Sequence, residues 1–169
     1  TPVVSGNVSF YNENTKCAIN PTPSIGMVGI LPDIEKRTTQ YFKDEGDLVI
    51  LLGENKDELG GSEYLKVVYN TVAGQAPVLD LKNEIAVQKV CYEAIQKGWI
   101  KSAHDCSEGG LAVALAECAM SSKDNIMGCQ ITCLSDDHDL RIDSLLFGES
   151  QSRIILTCAS ANKEHILAL

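Results

Sequence analysis

The stretch His104–Met120, HDCSEGGLAVALAECAM, decides how this chain folds. It follows WIKSAH (99–104), a short β-prone run, so a strand ends in a His-Asp pair. A polar turn with two consecutive glycines comes next, and then LAVALAECAM, apolar on nearly every side. Such a helix is buried against more than one neighbour. A strand feeding a buried helix through a glycine turn needs helices layered on a sheet.

Working outward, the same alternation continues in both directions. Upstream, Asp80 is placed to cap a helix along which Ile85, Val87, Val90, Cys91, Ala94 and Ile95 recur, and Gly98 is placed to end it. Before that, Gly60-Gly61-Ser62 opens a helix carrying Tyr64, Leu65, Val68 and Val72, and DLVILLG (47–53) reads as a strand buried on both faces. Pro2 to Phe10 and SIGMVGIL (24–31) read as two further strands, separated by the loop NENTKCAINPTP. Downstream, IMGCQITCL (126–134) and RIILTCA (153–159) read as strands. An acidic loop, SDDHD, lies between them, and NKEHILAL begins a last helix. The expected class is α+β: a layered mixed sheet with helices, partly ferredoxin-like. No repeat, linker or low-complexity tract breaks the chain, which reads as one compact unit with loose ends, both of them resembling cut edges.

Composition bounds the function. The 169 residues are 44% apolar and 22% charged, as in ordinary globular domains. A formal net charge of −9 argues against duplex nucleic acid as a partner. It also means that an anionic ligand would be held by local devices, not by the overall field. Apolar runs are too short to cross a bilayer, which argues against a membrane partner. Seven cysteines, several inside apolar periodic segments, fit reduced thiols in a cytoplasmic protein. Cys129 and Cys133 have the spacing of half a zinc site, but no second pair follows, and buried core thiols are the expected reading.

Three glycine turns could carry chemistry: SGNVS (5–9), LGGS (59–62) and HDCSEGGL (104–111). In the last, a helix start at Gly109 and Gly110 presents backbone N–H groups that suit a phosphate, and Asp105 beside it suits the accompanying magnesium. The same residues also fit a helix capped by Ser107, with Asp105 and Glu108 facing the positive end of the dipole. Phe147–Arg153, FGESQSR, gathers Glu149, Ser150, Gln151 and Arg153. It is either a kit for a phosphorylated or amide-bearing ligand or a polar loop at a strand entrance. Asn7 and Ser9, two apart on a strand, would share a face that meets either a ligand or water. His104 reads as a hydrogen-bonded strand residue, His138 as part of a solvated acidic loop, and His165 lies on the last helix. No Ser/His/Asp set, dinucleotide fingerprint or Walker pattern is present.

Taken in order, PVVSGNVSFYNE, PTPSIGMVGIL, GDLVILLG, LGGSEYL, SAHDCSEGGLAVALAE and LFGESQSRIIL make the chain resemble the C-terminal half of the synthetase subunit of phosphoribosylformylglycinamidine synthases. The glycine-pair helix start alone indicates only the wider aminoimidazole-ribonucleotide-synthetase superfamily; GNVSFYNE and FGESQSR narrow the resemblance. It implies an ATP-dependent carbon–nitrogen ligase of purine biosynthesis, acting on formylglycinamide ribonucleotide with ATP, Mg2+ and ammonia from a glutaminase subunit or domain. It assigns Gly6 to ATP, Asn7 to the metal and Ser9 to the substrate. Asp105, Gly109, Gly110, Glu149, Ser150 and Gln151 become a pseudo-symmetric or auxiliary site, with no catalytic residue in this segment. Residues 1–34 would be the last strands of a preceding ATP-binding domain, and 35–169 a C-terminal α+β domain truncated at its end. The segment alone would be inactive without the first half of the same chain. Two alternatives accompany this reading: a non-catalytic domain holding a structural nucleotide, and another superfamily member such as an aminoimidazole ribonucleotide synthetase.

Overall fold

The computed structural model describes residues 1–124, 126–132 and 139–169. Two units are present, Thr1–Pro32 and Asp33–Leu169.

In the second unit, three strands form an antiparallel sheet: β1 (Leu48–Leu52), β2 (Ser102–Asp105) and β3 (Ile154–Cys158), in the order β1-β3-β2. Registers run from Leu48↔Cys158 to Leu52↔Ile154 on one side of β3 and from Ser102↔Thr157 to Asp105↔Ile154 on the other. Among the described residues, an isolated parallel bridge also joins Thr39 to Ser102. Five α-helices accompany the sheet among the described residues: α1 (Glu63–Tyr69), α2 (Leu81–Lys97), α3 (Gly110–Met120), α4 (Ile142–Phe147) and α5 (Lys163–Leu167). The α+β class expected from the order of elements is the class observed.

Side chains alternate across a strand, so central β3 serves two cores. Ile155 packs on one face with Leu111, Ala114, Leu115, Cys118 and Phe42. Leu156 and Cys158 pack on the other with Cys91 and Ala94 of α2, Ile100, and Ile166 of α5. Both faces of β3 are covered, which is why RIILTCA reads as an unbroken apolar run, whereas β1 lies at the sheet edge with Val49 exposed. Each fully buried Leu or Ile stabilises the fold by about 1.5–3 kcal/mol. Across the sheet, the buried Ser102 and Thr157 hydroxyls pair at 2.5 Å, so the polar atoms of this register are satisfied.

α2 forms where the sequence places it. The Asp80 carboxylate accepts from the Lys82 and Asn83 amides at 2.9 and 3.2 Å, and Gly98 closes the helix in the left-handed conformation (φ 68). α1 is shorter than the apolar spacing to Val72 suggests. Left-handed Asn70 (φ 50) stops it, and its amide bonds back to Leu65. Tyr64 on α1 stacks on Phe147 at the end of α4, with centroids 4.9 Å apart.

Three expected strands are absent among the described residues. Residues 2–10 and 24–31 of the first unit contain no strand, and an isolated Glu13↔Ala18 bridge is the pairing described there. IMGCQITCL forms no strand over its described residues 126–132, while Cys133 and Leu134 lie outside the described residues. The physical reason is the same for all three. An apolar alternation becomes a strand only when a neighbour completes its hydrogen-bond ladder. Val3, Val4, Phe10, Ile25, Val28 and Ile126 are instead exposed.

Candidate functional site

The second unit holds a cleft of about 490 Å³ at the end of β2, where the chain turns into α3. Its walls include Asp105, Ser107, Glu108, Glu149, Gln151 and Arg153, with Glu84, Val87 and Gln88 facing it from α2.

Asp105 ends β2 opposite Ile154, which brings the start of α3 beside the 148–153 loop. The Ser107 hydroxyl donates to Asp105 Oδ2 at 2.5 Å, and the Cys106 amide donates to the Arg153 carbonyl at 3.0 Å. Donation from Ser107 holds the Asp105 carboxyl below its ordinary range, so this exposed carboxylate stays ionised near neutrality. His104 is hydrogen-bonded, as expected, to Glu117 at 2.8 Å. Burial pushes the Cys106 thiol up to about 11, so little of it is thiolate near neutrality.

The start of α3 lies at the glycine pair, but it differs from the reading that capped it with Ser107. Gly109, not Ser107, is the N-cap, and no side chain in the turn caps the helix. Ser107 is turned instead toward Asp105, which draws its hydroxyl proton. The cap comes from a distant loop. Glu149 Oε1 accepts the Gly109 amide at 2.8 Å and also the Glu63 amide, the first of α1, at 2.8 Å. The Gly110 amide donates to the Ser107 carbonyl at 3.1 Å. Gly110 (φ 69) lies so close to this loop that a Cβ there would stand 2.4 Å from the Gly148 carbonyl oxygen.

Arg153 fixes the 148–153 loop from inside. Only 2% exposed, it donates from Nε to the Ser150 carbonyl (3.1 Å), from Nη1 to Asn55 Oδ1 (2.9 Å) and from Nη2 to the Gly148 carbonyl (2.6 Å). Burial lowers its pKa, yet an arginine remains charged. Ser150 is buried behind the cleft, whereas Gln151 is exposed, its amide 3.5 Å from the Glu149 carbonyl.

The expected residues thus fall into two groups. Asp105, Glu149 and Gln151 line one cleft, Gly109 and Gly110 form its helix start, and Ser150 lies within the loop. Gly6, Asn7 and Ser9 belong to the first unit and are exposed. Ser9 borders a hollow of about 340 Å³ with Phe10, Tyr11 and Asn12, and its hydroxyl donates to the Tyr11 carbonyl at 3.3 Å. His138 lies outside the described residues. Glu84 and Gln88 escaped the sequence reading. They are an i,i+4 hydrogen-bonded pair (2.5 Å) on a polar stripe of α2, and nothing local marks that stripe as a cleft wall.

Chemically, the cleft is polar and rich in carboxylates, so a phosphate-bearing ligand would need a cation with it. Among the described residues, no three His, Cys, Asp or Glu side chains gather to hold a metal by themselves. Mg2+ usually takes one or two carboxylates and completes its shell with phosphate oxygens and water. Ionised Asp105 fits that arrangement.

Residues 44–169 match the model of a family described as AIR synthase related protein, C-terminal domain, and the chain belongs to that family. Within it, the whole chain is 54% identical over 169 residues to the phosphoribosylformylglycinamidine synthase subunit PurL of Moorella thermoacetica. The alignment covers 100% of this chain and 22% of that relative, so the chain spans about a fifth of its length. Among solved structures, Thermotoga maritima PurL complexed with FGAR superposes with a TM-score of 0.62 at 17% identity, over 80% of this chain and 23% of that one. The same protein complexed with ATP gives 0.56 at 16%, over 80% and 21%. At such identities the likeness concerns the fold, and it agrees with the α+β layers described above.

Proposed function

We propose that the chain is part of an ATP-dependent carbon–nitrogen ligase, a phosphoribosylformylglycinamidine synthase. Such an enzyme converts formylglycinamide ribonucleotide, ATP and ammonia from glutamine into formylglycinamidine ribonucleotide in purine biosynthesis. The observation that carries this reading is the 54% identity across every residue of the chain. In the reaction, the substrate's amide oxygen takes the γ-phosphoryl group and ADP leaves. Ammonia then adds to the activated carbon, the C–O bond breaks, and phosphate departs as protons pass to solvent. Catalysis of this kind rests on positioning and charge stabilisation.

Two stretches of the chain have their own parts in the proposal. In the first, residues 1–34 contribute the end of an ATP-binding domain, where Gly6 lies beside ATP, Ser9 binds substrate and Asn7 offers an amide oxygen to magnesium. In the second, residues 35–169, the cleft is the auxiliary counterpart of the active site, and Asp105 faces a nucleotide and its cation there. Magnesium, when bound, neutralises phosphate charge. The protein works in the cytoplasm with a glutaminase subunit or domain and with the first half of the same longer chain.

The test uses the full-length protein. ADP release should depend on formylglycinamide ribonucleotide with ammonium present, and Asn7→Ala should lower kcat/KM by about 100-fold. ADP release driven by formylglycinamidine ribonucleotide instead would assign the protein to another superfamily activity. The isolated 169-residue segment should show no turnover. Calorimetry should detect ADP with magnesium at the cleft, weakened by Asp105→Ala; equal binding to both proteins would remove Asp105 from that role.

A further inference from the structure

We propose that Glu149 is a positioning residue of the cleft, a built-in anion that latches the starts of α3 and α1 together, and not a ligand of metal or nucleotide. The proposal rests on the reading of the cleft as a nucleotide site, and it changes which residues of the Glu-Ser-Gln run can touch a ligand.

Three observations carry it. First, a single atom, Glu149 Oε1, lies 2.8 Å from both the Gly109 and Glu63 amides. Two donors use the two lone pairs of that oxygen. Second, α3 has no side-chain cap of its own, and its first turn contains no acidic residue. A carboxylate at that place complements the positive helix end, as a bound anion would. Third, Glu149 cannot readily drift from its post. Its own amide donates to the Glu58 carbonyl at 3.2 Å, and buried Arg153 grips the carbonyls on either side, at Gly148 and Ser150. With Ser150 buried, Gln151 is the one member of the run left facing the cleft with an exposed side chain.

A latch and a metal ligand respond differently to the same substitution. Glu149→Gln keeps an oxygen that accepts both amides but puts an NH2 group where Oε2 stood, and NH2 cannot ligate magnesium. Glu149→Ala removes both oxygens. The probes are ADP with magnesium, titrated by calorimetry into the full-length protein, and iodoacetamide labelling of Cys106, followed by mass spectrometry. Cys106 reports on the same turn without any ligand. Glu149→Ala should weaken binding about 10-fold or more and speed Cys106 labelling. Glu149→Gln should restore both to within ~3-fold of wild type. Binding as weak in Glu149→Gln as in Glu149→Ala, with Cys106 labelling slow in both, would overturn the latch and make Glu149 a direct ligand. If the wild-type protein binds no nucleotide at the cleft, the functional reading of the cleft falls, and labelling alone decides on the latch. Fast labelling in Glu149→Ala with slow labelling in Glu149→Gln then supports it, and equal rates in all three proteins overturn it.

Discussion

Helices α2 and α3 flank the same sheet but begin in opposite ways. α2 is specified by its neighbours in sequence: Asp80 caps its first turn and Gly98 ends it. α3 starts at a glycine with no cap of its own and takes its counter-charge from Glu149, forty residues away. A locally capped helix can form its first turn before the fold is complete. A helix capped from a distant loop has its first turn fixed only after the sheet has brought that loop alongside. The cleft is built at the second kind of start. The geometry of Asp105 and Glu108 therefore depends on tertiary assembly and not on local propensity.

The sharpest way to strain this contrast uses two glycines with nearly the same backbone. Gly98 (φ 68) has open space where a Cβ would stand, while Gly110 (φ 69) has the Gly148 carbonyl 2.4 Å away. Gly98→Ala should cost about 1 kcal/mol, the ordinary left-handed penalty. Gly110→Ala carries that strain plus a backbone collision and should cost ~3 kcal/mol or more. Thermal unfolding of the full-length variants measures the difference, and equal shifts would show that the close approach is easily relieved.

Next in size is Glu149→Ala, which strands two backbone donors and should destabilise the first turn of α3 by about 2 kcal/mol. Asp80→Ala should destabilise the first turn of α2 by about 1 kcal/mol. Native-state amide exchange resolves the two turns separately. Crossed effects, with Asp80→Ala opening α3 or Glu149→Ala opening α2 to the same extent, would dissolve the distinction between local and distant caps.

The smallest effect at neutral pH concerns the thiols packed near α3. Burial raises Cys106 to about 11 and Cys118 to about 12, against an ordinary thiol near 9. Between those values the folded state holds protons that the unfolded chain has lost. The stability linked to these groups is therefore fully present below about pH 9 and is lost as pH rises through 11 to 12. Urea unfolding from pH 7 to 10.5 should show no pH dependence from these thiols at first and a decline above 9. Cys106→Ser and Cys118→Ser should flatten that decline.

The legible parts of the fold share the logic of α2. Its boundaries, and the apolar run at β3, follow from residues a few positions apart or from burial on both faces. The glycine pair at 109–110 was legible as a helix start, yet its cap was not, because Glu149 becomes a neighbour only through the pairing of β2 with β3. IMGCQITCL misled for the complementary reason: its alternation is that of a strand, but over the described residues no ladder receives it. α4, six residues long, is too short for periodicity to announce it. For the site, FGESQSR pointed to the right loop. That Glu149 turns to backbone, Ser150 inward and Gln151 to the cleft is decided by Arg153, whose three acceptors no spacing rule connects.

The central claim, that a distant carboxylate completes the start of α3, is tested most directly by exchange of the Gly109 amide in the full-length protein. Substituting Glu149 with Ala should speed that exchange by about 30-fold, the equivalent of 2 kcal/mol, while Glu149→Gln keeps it slow and the first turn of α2 is unaffected. A Gly109 amide that exchanges at the same rate with Glu, Gln or Ala at position 149 would contradict the account.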